Sequence, residues 1–201
     1  MRVSKEQAAE NRARILTETA RMIREAGIGG VGVDGLTKAA GLTHGSLYSR
    51  FGSKERLVAE ALAHAVQTSD ARMLKELTSG APGQGPAAMV ARYLSPKHRD
   101  APGAGCPLAA IGPEAARQGG AVRQAFTRGV RGFAARLAAA MPARGGAQPP
   151  EDAALATVAA LVGALILARA VDDPELSDRI LTASAQRLTA GDGTAASPPS
   201  H

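Results

Sequence analysis

The sequence predicts an all-α protein, and three observations support this prediction. Of the 201 residues, 45% are hydrophobic and much of that content is alanine, which favours closely packed helices. Aromatic residues, which are common in strands, make up only 2% of the chain. No run of residues has the alternating pattern of a strand. The five aromatic residues are Tyr48, Phe51, Tyr93, Phe126 and Phe133.

The first helix is predicted from about Lys5 to Ala26, because apolar residues recur there at helical spacing, and Gly27 is a suitable stop. After a glycine-rich loop, Asp34 is the expected N-cap of a short helix over residues 35–40. Gly41 can adopt the left-handed conformation that ends it. Thr43 is predicted to cap a third helix over residues 44–50, and Ser53 a fourth reaching about Leu77. The inner positions expected on this fourth helix are Leu57, Ala61, Leu62, Ala65, Leu74 and Leu77.

The Gly- and Pro-containing residues 78–86 mark the best domain boundary. Further helices are predicted over residues 87–94, 106–118, 121–141, 153–171 and 175–188, with a flexible loop at 142–150. We therefore expect a helix-turn-helix domain at 1–52, a connecting helix at 53–78 and a second helical domain at 79–190. The small, polar residues 191–201 are expected to be disordered.

The charge is concentrated near the N-terminus. The net charge is +6 and the isoelectric point is about 10.1, which favours an acidic partner such as DNA or a membrane surface. Residues 1–56 hold ten basic and six acidic residues, so +4 of the total lies in about a quarter of the chain. Met1 to Glu10 contain no apolar run, and the apolar residues 153–168 are shorter than the ~20 needed to span a membrane. We expect a cytoplasmic protein without a membrane partner.

A short helix, a turn containing glycine and a second short helix form the helix-turn-helix that reads DNA. The same spacing also occurs at ordinary helix corners in α-proteins. Here the second helix carries Ser46 and Arg50, and the next helix begins with Lys54, so hydroxyl and basic side chains suited to phosphates and base edges are close together. These residue types favour DNA binding over the ordinary helix corner.

A pattern of many positions extends over residues 7–62: Arg14-Ile-Leu, Ala20, Gly27, Val33-Asp, Thr37-Lys-Ala-Ala-Gly41-Leu-Thr, Gly45-Ser-Leu-Tyr48, Phe51, Ser53-Lys-Glu and Leu57. With this pattern, the segment resembles the DNA-binding domain of tetracycline-repressor (TetR/AcrR) type regulators. The resemblance implies an all-α homodimer with a three-helix head, a long fourth helix and a C-terminal ligand-binding and dimerisation domain. Two positions depart from the family pattern, Ile23 in place of an aromatic residue and Arg50 in place of a histidine.

The resemblance also implies roles on the head. Thr43, Tyr48, Arg50 and Lys54 are expected to contact phosphates, whereas His44, Gly45 and Ser46 are expected to face the bases. His44 is the candidate for direct readout, although a solvated residue at the helix start is an equally open interpretation. A half-buried core ring is the alternative role for Tyr48.

The helix predicted at 153–171 is apolar nearly all round and must be covered on most faces. A partner subunit is one cover, and the resemblance implies a dimer formed by the last two long helices. The alternative is that this helix is the centre of the domain's own core. The predicted dimer interface consists of Ala156, Ala160, Gly163, Ala164, Leu165 and Ala168. Two recognition helices related by a two-fold axis would read a pseudo-palindromic operator.

The second helical domain at 79–190, which we call the body, is expected to bind a small, mainly apolar effector that releases DNA. The candidate pocket residues are the larger side chains between the middle helices, all of which also fit an ordinary core: Met89, Tyr93, Cys106, Leu108, Ile111, Phe126, Val130, Phe133 and Leu165. Arg169 would pair with an anionic group or, more simply, with Asp172 or Asp173.

Cys106 is the only cysteine, which excludes an internal disulfide. It precedes Pro107 at a predicted helix start, where a thiol pKa is often lowered, so it is a candidate sensor of electrophiles or oxidants. A small buried apolar side chain is the alternative.

The histidines are scattered, so we expect no metal, cofactor or catalytic site. The main hypothesis is a ligand-responsive repressor. The alternative is an α-helical interaction protein that does not bind DNA, or a thiol-reactive enzyme using Cys106.

Overall fold

A computed structural model describes residues 5–78, 85–140 and 150–190. In these ranges the chain forms ten α-helices and one short 3-10 helix, and no strand, so the all-α prediction is confirmed. The predicted tail at 191–201 and residues 142–149 of the loop predicted at 142–150 lie outside the described residues, whereas Pro150 is the first residue of a helix.

The first four helices make the head and its connection to the body. They are α1 (Lys5–Gly30), α2 (Val33–Ala40), α3 (His44–Phe51) and α4 (Lys54–Leu77). The body contains α5 (Gly85–Tyr93), α6 (Pro96–Arg99), the 3-10 helix (Pro102–Ala104), α7 (Pro107–Ala115), α8 (Gly120–Ala140), α9 (Pro150–Ala170) and α10 (Pro174–Thr189). The predicted helix at 106–118 is therefore shorter than expected, and α6 and the 3-10 helix were not predicted.

The head has a continuous apolar core formed by α1 to α4. Ile15, Ile23, Leu36, Leu47 and Leu57 are almost fully buried in it. The same cluster includes Ile111 of α7 and two residues of α8, Val122 and Ala125. The head therefore shares its apolar core with α7 and α8 of the body, so the two parts are in direct contact.

The local signals at the helix ends were mostly correct. Gly27 has φ 76° and interrupts α1, so that residues 28–30 form a separate turn. Gly41 has φ 64°, and Ser53 accepts a hydrogen bond from the Arg56 amide at the start of α4. The prediction for Asp34 was wrong: α2 begins two residues earlier, at Val33, its N-cap is Gly32, and Asp34 lies in the first turn without capping it.

Helix α4 spans about 36 Å at 1.5 Å per residue and packs against α1 on one side and α8 on the other. Leu57, Ala61, Leu62 and Ala65 are buried, as their spacing predicts. Leu74 was expected on the same face but is 51% exposed. It lies nine residues beyond Ala65, which at about 100° per residue is half a turn round the helix.

Helix α9 has two apolar faces. Ala154, Val158, Leu161 and Leu165 are buried against α8 and α10. The opposite face leaves Leu155 and Leu167 exposed, at 43% and 57%, together with Ala156 and Ala160. Among the described residues α9 is long and apolar enough to cross a membrane, but a core helix of a water-soluble protein passes the same test.

The predicted interface on α9 is therefore divided between two faces. Ala164, Leu165 and Ala168 were expected at a dimer interface but are buried inside the protomer, whereas Ala156 and Ala160 are exposed and Gly163 is partly exposed. The reason is geometric, because residues four apart are displaced by about 40° on a helix. A stripe of four such residues rotates by about 120° and turns from the surface into the core.

One carboxylate joins the body to the head. Glu114, near the end of α7, accepts hydrogen bonds from the amides of Ile28 and Gly29, at 2.6 and 3.2 Å. These amides follow the break at Gly27, whose missing side chain makes room for the carboxylate: a Cβ there would lie 2.1 Å from Glu114 Oε1. Residue 27 must therefore be glycine for both its conformation and its contact.

Replacing Glu114 with alanine should weaken the junction between head and body. The two amides lose their acceptor, and an unsatisfied amide costs about 1–3 kcal/mol when it stays shielded from water. Urea unfolding should register a loss of this size. Glu151→Ala, which removes an exposed carboxylate from α9, is the control. Equal unfolding midpoints for the two variants would show that the Glu114 contact adds no stability.

Candidate functional site

Two side chains fix the start of α3 by a reciprocal capping box. The Ser46 amide donates to Thr43 Oγ1 at 3.2 Å, and the Thr43 amide donates to Ser46 Oγ at 2.9 Å. The Ser46 hydroxyl also donates to the Thr43 carbonyl. Ser46, expected to face bases, is thus occupied by backbone groups, and its role at α3 is to hold the helix start.

His44 is exposed on the first turn of α3 and has a partner that the sequence did not predict. Its Nε2 lies 2.5 Å from Asp34 Oδ1 of α2. The Asp34 side chain is itself almost entirely exposed. The pair bridges the two helices of the helix-turn-helix and holds the imidazole ring in one orientation on the outer surface.

The remaining residues of α3 present an open, basic surface. Tyr48 is 48% exposed and Arg50 is exposed, while Leu47 and Phe51 point into the core. A Cβ at Gly45 would have no atom within 4 Å, so the backbone there can be approached closely. In the part of the chain that the structure describes, Arg50 forms no ion pair. Its charge is therefore available to an external anion.

Lys54, the first residue of α4, is half-buried and donates to the Ile28 carbonyl over 3.4 Å. This bond ties α4 to the turn that Glu114 also contacts. The sequence placed Lys54 only among the phosphate contacts; the structure adds this internal bond. The ammonium keeps two further donors.

A cavity of about 460 Å³ lies between α4, α5, α6, α7 and α8. Of the predicted pocket residues, Met89, Tyr93, Cys106, Leu108 and Phe133 line it. Ile111 and Leu165 do not, because both are fully buried in core clusters, Ile111 with the head and Leu165 with the body. Phe126 and Val130 pack against these clusters without lining the cavity.

The prediction that the pocket region carries few charged side chains was wrong. The cavity is lined by six ionisable side chains besides tyrosine and cysteine: Asp70, Arg72, Glu76, Arg92, Lys97 and His98. Asp70 pairs with Arg136, and Glu76 pairs with Arg92. Val66, Asp70 and Met73 lie on one face of α4 because they are spaced four and three residues apart. This spacing is the sequence signal that could have identified α4 as a wall of the cavity.

His98 is held as a neutral ring by two hydrogen bonds. Its Nδ1–H donates to the Tyr93 carbonyl at 2.7 Å, and its Nε2 accepts from the Cys106 amide at 2.9 Å. Burial lowers the pKa of His98, and this outweighs the effect of the Tyr93 carbonyl. The ring therefore positions the residue that precedes α7.

Cys106 has a different environment from the one its sequence position suggested. The thiol is buried, and burial raises its pKa, whereas a lowered pKa was expected at the helix start. The neighbouring Tyr93 hydroxyl and the amides of Leu108 and Ala109 offset only part of this rise. The thiolate is thus disfavoured, which argues against a reactive thiol in this conformation.

Arg169 closes the inner side of the same region. Its Nε donates to the Arg99 carbonyl at 3.0 Å, and its Nη2 donates to the His98 carbonyl at 2.7 Å. The expected pairing with Asp172 or Asp173 is not found. Arg99 in turn bonds Asp178 and Ser177 of α10. The segment around α6 is therefore fastened to the last two helices.

Within the described ranges, no cluster of three or more His, Cys, Asp or Glu side chains is suited to a metal ion.

Comparison with known proteins identifies this architecture. Residues 15–61 match the family described as bacterial regulatory proteins, tetR family. E. coli NemR in its reduced form is similar in structure, with a TM-score of 0.76 and 22% identity over 90% of this chain and 95% of the other. A TetR-family regulator from Cytophaga hutchinsonii has a TM-score of 0.74 at 22% identity, covering 94% and 96%. At such identities the likeness establishes the fold. No protein with a curated description matches the chain.

The neutral state of His98 should make stability depend on pH. The pKa of His98 is lowered in the folded protein, so below the ordinary histidine pKa of about 6.5 the unfolded chain binds a proton that the folded chain does not. Stability should be fully present above that pH and decline as the pH falls toward the lower folded value. Unfolding curves at pH 7 and pH 5 should differ less for His98→Gln than for the native chain. Equal differences would contradict this role for His98.

Proposed function

We propose that this chain, a TetR-type regulator with a helix-turn-helix DNA-binding domain, represses transcription as a homodimer on a pseudo-palindromic operator and is released when a small effector enters the body cavity. The observation that carries the proposal is the outer surface of α3. It combines a capped helix start with the exposed side chains of His44, Tyr48 and Arg50.

This surface has the chemistry of a DNA contact. Arg50 and the Tyr48 hydroxyl suit phosphate oxygens, and Lys54 adds positive charge at the α4 start, where the helix dipole also favours an anion. His44 is the candidate for base readout, with Asp34 fixing its ring. The open backbone at Gly45 supports a close approach to the groove.

The exposed apolar face of α9 supports the homodimer. TetR-type regulators bind DNA as dimers, and Leu155, Ala156, Ala160 and Leu167 would be poorly placed in water. The space beside Gly163 is open, so a second helix can approach closely there. A dimer built on this face would present two α3 helices to successive major grooves.

Helix α4 is the element that would couple effector to operator. One part of it, from Val66 to Glu76, forms a wall of the cavity, and its first residue follows α3 after a two-residue turn. A ligand that displaces this wall changes the positions of the two heads. A coupling of about 1–3 kcal/mol would change operator affinity by one to two orders of magnitude.

Burial and a raised pKa do not suit Cys106 for nucleophilic catalysis or for a first encounter with an electrophile. We therefore favour a regulator over a thiol-reactive enzyme, and a reversible effector over a covalent one.

The α3 surface can be tested with Arg50→Ala and Tyr48→Phe. Each should weaken binding to a duplex carrying the region upstream of the protein's own gene, by about tenfold for the loss of a charged contact. For Arg50→Ala the slope of log K against log salt should fall by about one, because one fewer counterion is released. Arg123→Ala, which removes an exposed charge from α8, should bind like the native chain. Native affinity that is equal for this region and for random DNA would overturn the repressor proposal.

The dimer can be tested with Gly163→Arg. A Cβ at this position would have no atom within 4 Å, so the fold should be retained while the longer arginine side chain blocks a partner helix. Light scattering should give a monomer for this variant and a dimer for Ala116→Arg, an exposed position at the end of α7. A Gly163→Arg dimer would exclude this part of α9 from the interface.

A further inference from the structure

The first turn of α3 leaves one side chain free to bond a base. Thr43 and Ser46 are engaged with each other in the capping box, Gly45 has no side chain, and Leu47 is buried. The remaining residue of this turn is His44, whose side chain is 57% exposed. Bases are read through side-chain hydrogen bonds to their edges, so readout by the start of α3 depends on this imidazole ring.

The Asp34 carboxylate lies beside the ring and has no other evident task. Its Oδ1 is 2.5 Å from His44 Nε2, and the rest of the side chain is exposed. It does not cap α2, whose N-cap is Gly32. A negative charge in the first turn favours a helix only modestly, whereas a carboxylate beside a DNA-binding surface weakens binding to any phosphate backbone. The contact with His44 is therefore the feature of Asp34 that needs an explanation.

This contact determines which ring nitrogen carries the proton. An ionised carboxylate can only accept hydrogen bonds, so Nε2 of His44 must be the donor in the pair. A neutral imidazole has one N–H, and its Nδ1 is then an acceptor. No hydrogen bond to Nδ1 is found among the residues that the structure describes. Beside Asp34, a neutral His44 therefore has a free acceptor instead of an undefined tautomer.

A free acceptor distinguishes between bases in the major groove. Adenine N6 and cytosine N4 carry amino groups that donate there, whereas guanine O6 and N7 and thymine O4 accept. The Nδ1 lone pair of His44 can bond an amino group and is repelled by the acceptors. The negative charge of Asp34 beside the same ring adds to this repulsion.

We propose that Asp34 is a positioning residue for His44, and that the pair selects adenine or cytosine at one base position in each operator half-site. This inference deepens the proposed function and rests on it. It also assigns a part in base recognition to α2, although the first helix of a helix-turn-helix usually crosses the DNA backbone.

A library of duplexes tests the selected base. It carries the region upstream of the protein's own gene with each base pair varied in turn, and binding is measured at pH 8, above the ordinary histidine pKa of about 6.5. One base position in each half-site should favour adenine or cytosine over guanine or thymine by about three- to tenfold, the effect of one hydrogen bond. His44→Ala should remove this preference. A native preference for guanine or thymine at the position that responds to His44→Ala would overturn the proposal.

Asp34→Asn tests the positioning role. The amide has the shape of the carboxylate but can turn either its oxygen or its NH2 group toward Nε2, so it does not fix the tautomer. The preference at the position that depends on His44 should fall to about twofold or less. Affinity for random DNA should not fall, because a negative charge is removed. A folding defect weakens binding to every duplex alike, so it cannot imitate this result.

Glu6→Gln is the matched control, since it removes an exposed carboxylate from the first turn of α1. This variant should keep the native base preference. The same base preference in Asp34→Asn as in the native chain would overturn the role of Asp34.

The two proposals can fail separately. If the native chain binds every duplex of the library equally, the proposed function is wrong, and the base readout with it. If the native chain has base preferences and none of them changes in His44→Ala, the regulator stands and the readout by His44 and Asp34 is wrong.

Discussion

The hydrogen bonds from Ile28 and Gly29 to the Glu114 carboxylate are the constraint on which the arrangement of head and body depends. They form because Gly27 turns the chain out of α1 and leaves space that any side chain would fill. The same turn supplies the carbonyl that Lys54 bonds at the start of α4. One short turn thus joins α1, α4 and α7.

Helix α7 links the cavity to this junction. It has nine residues, with its N-cap Cys106 and Leu108 at the cavity and Glu114 at the head. The cavity therefore contacts two elements that reach the head, the long helix α4 and the short helix α7.

Much of the head could be predicted because its signals are local. Gly27, Thr43 and Ser53 end or begin helices through their own backbone or side-chain chemistry, and the structure has each of them in that role. The prediction that Asp34 is the N-cap was wrong because α2 begins two residues earlier, with Gly32 as its N-cap. The Asp34 carboxylate then took a partner, His44, that only the packing of α2 on α3 brings near.

The body was harder to predict because its site depends on tertiary packing. The sequence of an apolar helix such as α9 does not reveal which face turns inward, so Leu165 was predicted both at a dimer interface and in a pocket although it is buried in the core of its own protomer. The cavity is lined by four α-helices besides α7, and its charged residues look like ordinary surface residues in the sequence. Burial also reversed the expected effect on the Cys106 pKa, since solvent access is a property of the whole fold.

The distribution of chromophores has a practical consequence. The chain contains no tryptophan and two tyrosines, Tyr48 exposed on α3 and Tyr93 enclosed at the cavity. Its near-ultraviolet emission is therefore the sum of two reporters in very different surroundings, one on the surface of the head and one inside the body. Replacing either tyrosine by phenylalanine leaves a native, label-free probe of the other region, so events at the two ends of the molecule can be timed separately in solution.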